Sequence, residues 1–229
     1  MALYRFKLAR HATRHQYWLK AVQATLWVSS KWLANKYTSL QPQLVMPAML
    51  ESTPSSEANS TSAKTHTLQL FYHGSASHRA DIDWLYPVIK AVLARNTHLQ
   101  FEIIGDTHTQ ALYGSLEHCK VLAPMKWPAY RALIGAPGRH IGLAPAVSHP
   151  FNQARSHTKF FDITSAGAVG IYAAQGPCQG LLQHRKHGLL VEMTPEAWVE
   201  AILLLADDPA LRQTLYAQAL EHAHALSKP

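Results

Sequence analysis

From residue 68 onward the chain alternates short β-rich apolar runs with amphipathic stretches, and this alternation most limits what it can fold into. Leu68–Tyr72, Leu99–Gly105, Val121–Ala123, His140–Ala144, Val169–Ala173 and Gly188–Val191 read as strands. Asp83–Arg95, Tyr130–Ile134 and Lys159–Ala166 read as helices between them. Strands separated by helices pair in parallel, because a tight hairpin can join only antiparallel neighbours. The expected fold is therefore α/β, a Rossmann-like doubly wound parallel sheet with helices on both faces. Two helices close the chain. Thr194-Pro195 and Asp208-Pro209 each set a capping side chain before a proline whose missing N–H costs nothing in a first helical turn.

The first fifty residues have a different character. They carry seven cations (Arg5, Lys7, Arg10, Arg14, Lys20, Lys31, Lys36) and no acid, whereas the other 179 residues carry fourteen of each sign. The whole net charge of +7 therefore resides here, interleaved with Tyr4, Phe6, Tyr17, Trp18, Trp27 and Trp32. Such a segment suits the solvent face of a larger fold, an anionic bilayer surface or nucleic acid, the last being the least favoured. Residues 3–22 have helix-compatible composition, Ala24–Ser29 reads as a strand and Ser30–Tyr37 as a short helix. The Ser/Thr-rich run Ser52–Thr67 has no apolar face to bury and reads as an exposed linker. The organisation expected is a helical N-terminal fragment at 1–50, a linker at 51–66, a Rossmann-like domain at 67–206 and a C-terminal helix at 207–229.

Several classes are excluded. With 48% hydrophobic and 15% charged residues the chain is not a disordered one. No apolar run approaches eighteen residues, and the N-terminus lacks a secretory leader pattern, so a cytoplasmic location is expected. Cys119 and Cys178 are far apart, and the fifteen His residues show no ligand spacing, so no metal site is expected. The glycine patterns of dinucleotide and P-loop sites and the nucleophile elbow are absent.

A doubly wound sheet binds ligands beyond the carboxyl ends of its strands. The loops placed there are His73–His78, Gly105–Thr109, Ala144–Ser156 and Ala173–Gly176, and they hold most of the clustered polar side chains. Within and after the third of them runs PFNQARSHTKFFD (150–162), followed by Ala166-Gly167 and Gly170-Ile171-Tyr172. This region resembles the nucleotide-sugar-binding C-terminal domain of family four retaining glycosyltransferases of the GT-B fold. The resemblance continues in His73-Gly74-Ser75 with His78 and Asp81, in Ile141-Gly142-Leu143-Ala144-Pro145, and in His187–Val191 followed by Thr194–Trp198. It spans about residues 66–225, and residues 1–50 resemble the end of the acceptor-binding N-terminal domain.

The resemblance implies a single GT-B half-domain that binds a nucleotide-sugar as substrate, with no cofactor, in polysaccharide or glycolipid synthesis. Its partners would be a saccharide or lipid-linked acceptor and a partner chain supplying the acceptor domain, with peripheral contact of residues 1–36 at the inner membrane face. The substrate-binding candidates are Gly74, Ser75, His78, Asn152, Arg155, Ser156, Lys159 and Asp162. Lys159 and Arg155 would face the diphosphate near a helix N-terminus, where unpaired N–H groups favour anions. Asp162 would accept from ribose hydroxyls, and Asn152 would contact the sugar. Three departures stand out: Asp162 in place of a Glu, Ala154 where many relatives carry another Glu, and His140 where an Asp is common.

Plainer readings accompany each candidate. Lys159 and Asp162 form an ordinary i,i+3 surface pair, Asn152 and Ser156 cap a helix, Gly74 is a turn glycine, and His78 with Asp81 opens the next helix. Trp127 and Tyr130 read as core side chains rather than base-stacking ones. At the level of the whole chain, the alternatives are a non-catalytic nucleotide- or carbohydrate-binding module and an anion- or nucleic-acid-binding protein driven by residues 1–36.

Overall fold

The computed structural model of the chain describes residues 14–47 and 67–227, so most of the expected linker and the start of the N-terminal segment lie outside the described residues. The chain divides into two compact units, Met1–Pro47 with Gln153–Ser156, and Ala48–Asn152 with His157–Pro229.

In the first unit, helix α1 covers residues 14–21. The expected strand over 24–29 contracts to β1 (Trp27–Val28), which pairs in parallel with β2 (Gln43–Leu44), a strand absent from the sequence reading. Between them α2 (Lys31–Lys36) starts where Ser30 Oγ accepts the Leu33 N–H at 3.3 Å, while the same hydroxyl donates to the Ala154 carbonyl at 2.9 Å. Two residues per strand leave little surface to cover, and Tyr17, Trp18, Val22 and Trp27 are each more than half exposed.

The second unit is a six-stranded parallel sheet in the order β5-β4-β3-β6-β7-β8. Its strands are β3 (Leu68–His73), β4 (Leu99–Ile104), β5 (Cys119–Leu122), β6 (Ile141–Ala144), β7 (Val169–Ala173) and β8 (Leu189–Val191). The order reverses between β3 and β6, the topological switch of a doubly wound sheet. β3 runs six residues in register with β4, from Leu68 opposite Leu99 to His73 opposite Ile104.

Alternate strand residues face opposite layers, and the two apolar clusters follow that rule. Leu70 and Tyr72 join the layer built with α3 (Arg79–Arg95) and α8 (Pro195–Asp207), where Trp84 meets the fully buried Trp198 edge-on at 5.3 Å. Phe71 joins the opposite layer, which holds Phe160 and Phe161 of α7 (Thr158–Ser165) and Ala219 and Ala223 of α9 (Pro209–Ser227). Thr194 and Asp208 cap α8 and α9, accepting from the Ala197 and Leu211 N–H groups at 3.4 and 2.8 Å. α9 packs on α7 and β7, so it is part of this unit.

Four helices differ from expectation. α3 begins at Arg79, four residues early, because a 3-10 turn at Ala76–His78 leads the chain directly into it. α4 (Thr107–Tyr113) is an added helix capped by Asp106, which accepts from the His108 and Thr109 N–H groups. α5 covers Trp127–Ile134 with Pro128 in its first turn, and a further short helix, α6 (Pro150–Ala154), precedes α7.

Candidate functional site

A cleft of about 390 Å³ opens at the carboxyl end of the sheet. It is lined by His73, Gly74, Ser75, His78, Ile104, Pro124, Met125, Trp127, Tyr130, Lys159 and Asp162. These come from the ends of β3 and β4, the segment after β5, α5, and the α7 helix that follows β6. The cleft thus draws on both sides of the switch between β3 and β6, where the topology leaves room for a ligand.

Lys159 and Asp162 stand on α7, whose remaining residues are committed to the core: Phe160, Phe161, Ile163, Thr164 and Ser165 are buried. The Lys159 ammonium donates to the His73 backbone carbonyl and stands 5.5 Å from the centre of the Tyr72 ring. One turn on, Asp162 accepts the Tyr130 hydroxyl. Burial first, and the Asp162 carboxylate second, push that phenol well above its ordinary pKa, so it remains a donor. The cleft therefore sets an ammonium and a carboxylate on one wall, fit for an anion and for hydroxyl donors.

Beneath this wall sits a charged network. His73 Nε2 lies 3.1 Å from Glu102 Oε1, which also receives Arg139 Nε at 2.9 Å and Nη2 at 2.6 Å. Arg139 Nη1 donates in turn to the Leu133 and Ala136 carbonyls. Burial disfavours the Glu102 charge, but hydrogen bonds from His73 and Arg139 outweigh it and hold the carboxyl down at about 2. An ionised Glu102 cannot donate, so the proton of the pair belongs to His73 Nε2. The His73 ring is itself driven below its ordinary pKa, first by burial and then by Lys159 and Arg139, with Glu102 opposing. It is a neutral imidazole carrying its lone pair on Nδ1, and that atom is buried with no hydrogen-bond partner.

Of the eight sequence candidates, five line the cleft: Gly74, Ser75, His78, Lys159 and Asp162. A side chain at 74 would place its Cβ 2.8 Å from the Tyr72 ring, so packing against its own strand already demands glycine there. Ser75 Oγ lies 2.7 Å from Ser77 Oγ, and the edge of His78 faces Phe151 at 5.4 Å. Asn152, Arg155 and Ser156 are not among the lining residues. The buried Asn152 amide donates to Asp81 Oδ1 and to the Val147 carbonyl, each at 2.9 Å. Asp81 also accepts the Val147 N–H at 2.9 Å, which ties the loop after β6 to the first turn of α3.

Trp127 and Tyr130 correct the core assignment made from sequence. Tyr130 packs against the α7 layer yet lines the cleft, and Trp127 lines it while 56% exposed. With Ile104, Pro124 and Met125 they form an apolar, aromatic part of the lining that meets the polar part where Tyr130 bonds Asp162. The loops expected from sequence omit the segment after β5, which supplies Pro124 and Met125 to that apolar part. The signal available was its position: a polar-poor loop at a strand's carboxyl end holding Pro124, Met125 and Trp127 together. Among the described residues, no three His, Cys, Asp or Glu side chains gather where they could hold a metal ion.

The fold is that of a Rossmann-like half-domain of the GT-B architecture. No family model and no curated protein matches the chain. Among solved structures it is similar to Anabaena HepE in complex with UDP and glucose, with TM-score 0.66 and 11% identity over 90% of this chain and 59% of that one. Sucrose-phosphate synthase from Thermosynechococcus elongatus gives TM-score 0.64 and 16% identity over 88% of this chain and 54% of that one. The pneumococcal O-GlcNAc transferase GtfA, in complex with UDP and GlcNAc, gives 0.60 and 16% over 87% and 41%. The chain thus spans between about two fifths and three fifths of the length of these structures. No helix among the described residues is long and apolar enough to cross a membrane.

Proposed function

We propose that this chain is the donor-binding half of a retaining glycosyltransferase, holding a nucleotide-sugar in the cleft at the β3/β6 switch for polysaccharide or glycolipid synthesis. The observation that carries the reading is the pairing of two unlike walls in one cleft. Lys159 and Asp162 offer an ammonium and a carboxylate for diphosphate and ribose, and Trp127 and Tyr130 offer aromatic faces for a base. In a transfer that retains configuration the departing diphosphate gains negative charge, so a fixed ammonium would favour the transition state over the bound donor. The complexes of HepE and GtfA with UDP support a nucleoside diphosphate as the ligand class. Acceptor sugars and a partner chain completing the acceptor side belong to the same reading; GtfA is also seen in a GtfA/B complex.

A second reading, a non-catalytic nucleotide- or carbohydrate-binding module, is favoured by the lining itself. Its one carboxylate, Asp162, is engaged by the Tyr130 hydroxyl, and Ala154 stands where many relatives have a Glu. Calorimetric titration of UDP, GDP and ADP, with Lys159→Ala and Asp162→Ala as controls, tests both readings. Saturable binding weakened in each variant is expected, and a folded chain that binds none of them refutes both. Transfer or slow hydrolysis of the matching sugar conjugate then separates the enzyme from the module.

The acid-free first unit suits an anionic membrane surface, where cations meet phosphate headgroups and Trp and Tyr rings settle at the interface. Arg14, Lys20, Lys31 and Lys36, with the exposed Trp18 and Trp27, support that placement.

A further inference from the structure

His73 is absent from the candidates read off the sequence, yet its ring is held on several sides. Glu102 fixes the ring through Nε2, Arg139 fixes Glu102 through two bonds to the same oxygen, and Lys159 holds the His73 backbone carbonyl. Phe71 at 4.8 Å and Tyr130 edge-on at 5.7 Å close the ring between aromatic neighbours. Such an arrangement leaves one tautomer and one orientation. Its product is a lone pair on Nδ1 that no described group satisfies, in a side chain only 2% exposed that belongs to a residue lining the cleft. A buried acceptor without a donor costs roughly 1–3 kcal/mol, so an orphan at such a position asks for an external partner.

We propose that His73 Nδ1 accepts a hydrogen bond from an N–H or O–H group of the ligand held in this cleft, with Glu102 and Arg139 as positioning residues that fix the acceptor. This rests on the nucleotide-sugar reading and adds a selectivity element to it: the ligand must present a donor, because a lone-pair group at the same place meets lone pair against lone pair. A base N–H and a sugar hydroxyl share the required chemistry.

Two substitutions at one position separate ligand contact from scaffolding. Gln reaches the Nε2 position and keeps a donor for Glu102, but leaves nothing at the Nδ1 position. Asn does the reverse, placing an amide near Nδ1 and abandoning Glu102. UDP binding by calorimetry, with GDP in parallel and melting temperatures recorded for every variant, is expected to weaken about tenfold in His73→Gln and by less in His73→Asn, although His73→Asn melts lower. A scaffold role alone predicts the opposite order, so His73→Gln binding like the native chain overturns the proposal. Should His73→Gln not fold, His73→Asn decides: near-native affinity supports the acceptor role and a tenfold loss overturns it. N3-methyl-UDP and 2′-deoxy-UDP identify the donor, since the one lacking it binds native chain and His73→Gln equally. Folded native chain that binds none of UDP, GDP and ADP refutes the underlying reading and this inference together, whereas native binding of one of them with an indifferent His73→Gln refutes this inference alone.

Discussion

The imidazoles of His187 and His222 lie face to face, their centres 4.1 Å apart and their planes 4° from parallel. His187, just before β8, accepts the Gln183 N–H on Nδ1, and His222 on α9 meets the Leu181 carbonyl through Nε2 at 3.0 Å. Burial first, then His222 and Lys186, lower the His187 pKa to about 4. A histidine whose folded pKa lies below its unfolded value favours folding when neutral. That contribution is complete above about pH 6.5 and is lost as the pH falls toward 4. Allowing for screening by water, unfolding in urea at pH 5 is expected to cost about 1–2 kcal/mol less than at pH 7. His187→Gln should flatten that dependence, and an unchanged slope in the variant would assign it elsewhere.

Arg139 neutralises a carboxylate buried between two strands, so removing it leaves Glu102 charged and short of donors. Arg139→Met is expected to destabilise the chain by about 3–5 kcal/mol, and Arg139→Met with Glu102→Leu by clearly less. Because the Glu102 pKa is depressed, its share of stability is present above about pH 4.5 and disappears as the pH falls toward about 2. Chemical denaturation of the single and double variants checks the first statement, and an acid titration of the native chain checks the second.

Gly142 on β6 leaves no room for a methyl group. A Cβ there would stand 2.5 Å from Ile163 Cγ1 and 2.9 Å from Phe71 Cζ. Gly142→Ala should therefore cost roughly 1–3 kcal/mol through overpacking. Since Ile163 is the neighbour of Asp162 on α7, nucleotide affinity should fall with it. A variant as stable as the native chain would show that the β6–α7 contact yields freely.

The membrane placement is read by co-sedimentation with vesicles. Binding to anionic phosphatidylglycerol vesicles should exceed binding to phosphatidylcholine vesicles, weaken with salt, and drop several-fold in Trp18→Ala with Trp27→Ala. Binding indifferent to lipid charge would reject it.

The strand–helix alternation from Leu68 onward was legible because each buried parallel strand is a nearly unbroken apolar run, and because Thr194 and Asp208 announce their helices by capping. α4 was overlooked since its cap, Asp106, follows a strand so closely that the polar residues read as loop. β2 was overlooked because a two-residue strand has no period to detect. In the site, Lys159 and Asp162 were singled out by the family resemblance, their spacing adding only a shared helix face, whereas Glu102 lies 29 residues from His73 and 37 from Arg139, and the three meet only because β3 pairs with β4 on one side and β6 on the other. Trp127 misled for a different reason: a tryptophan beside a proline has the composition of a core helix start, and only its place after β5 turns it to the cleft.

The two sides of the cleft differ in how far they can give. α7 buries five of its eight residues, so Lys159 and Asp162 ride on a helix that cannot shift without repacking Phe160, Phe161 and Ile163. α5 buries Ile134 alone, and Trp127 at its start is mostly in water. The cleft behaves as a vice with one jaw cast into the frame and the other held more lightly, through the Tyr130 hydroxyl on Asp162 and Arg139 on the Leu133 carbonyl. Any adjustment to the size of what it grips falls to the Trp127–Tyr130 side, while the charged side keeps its spacing regardless of the occupant.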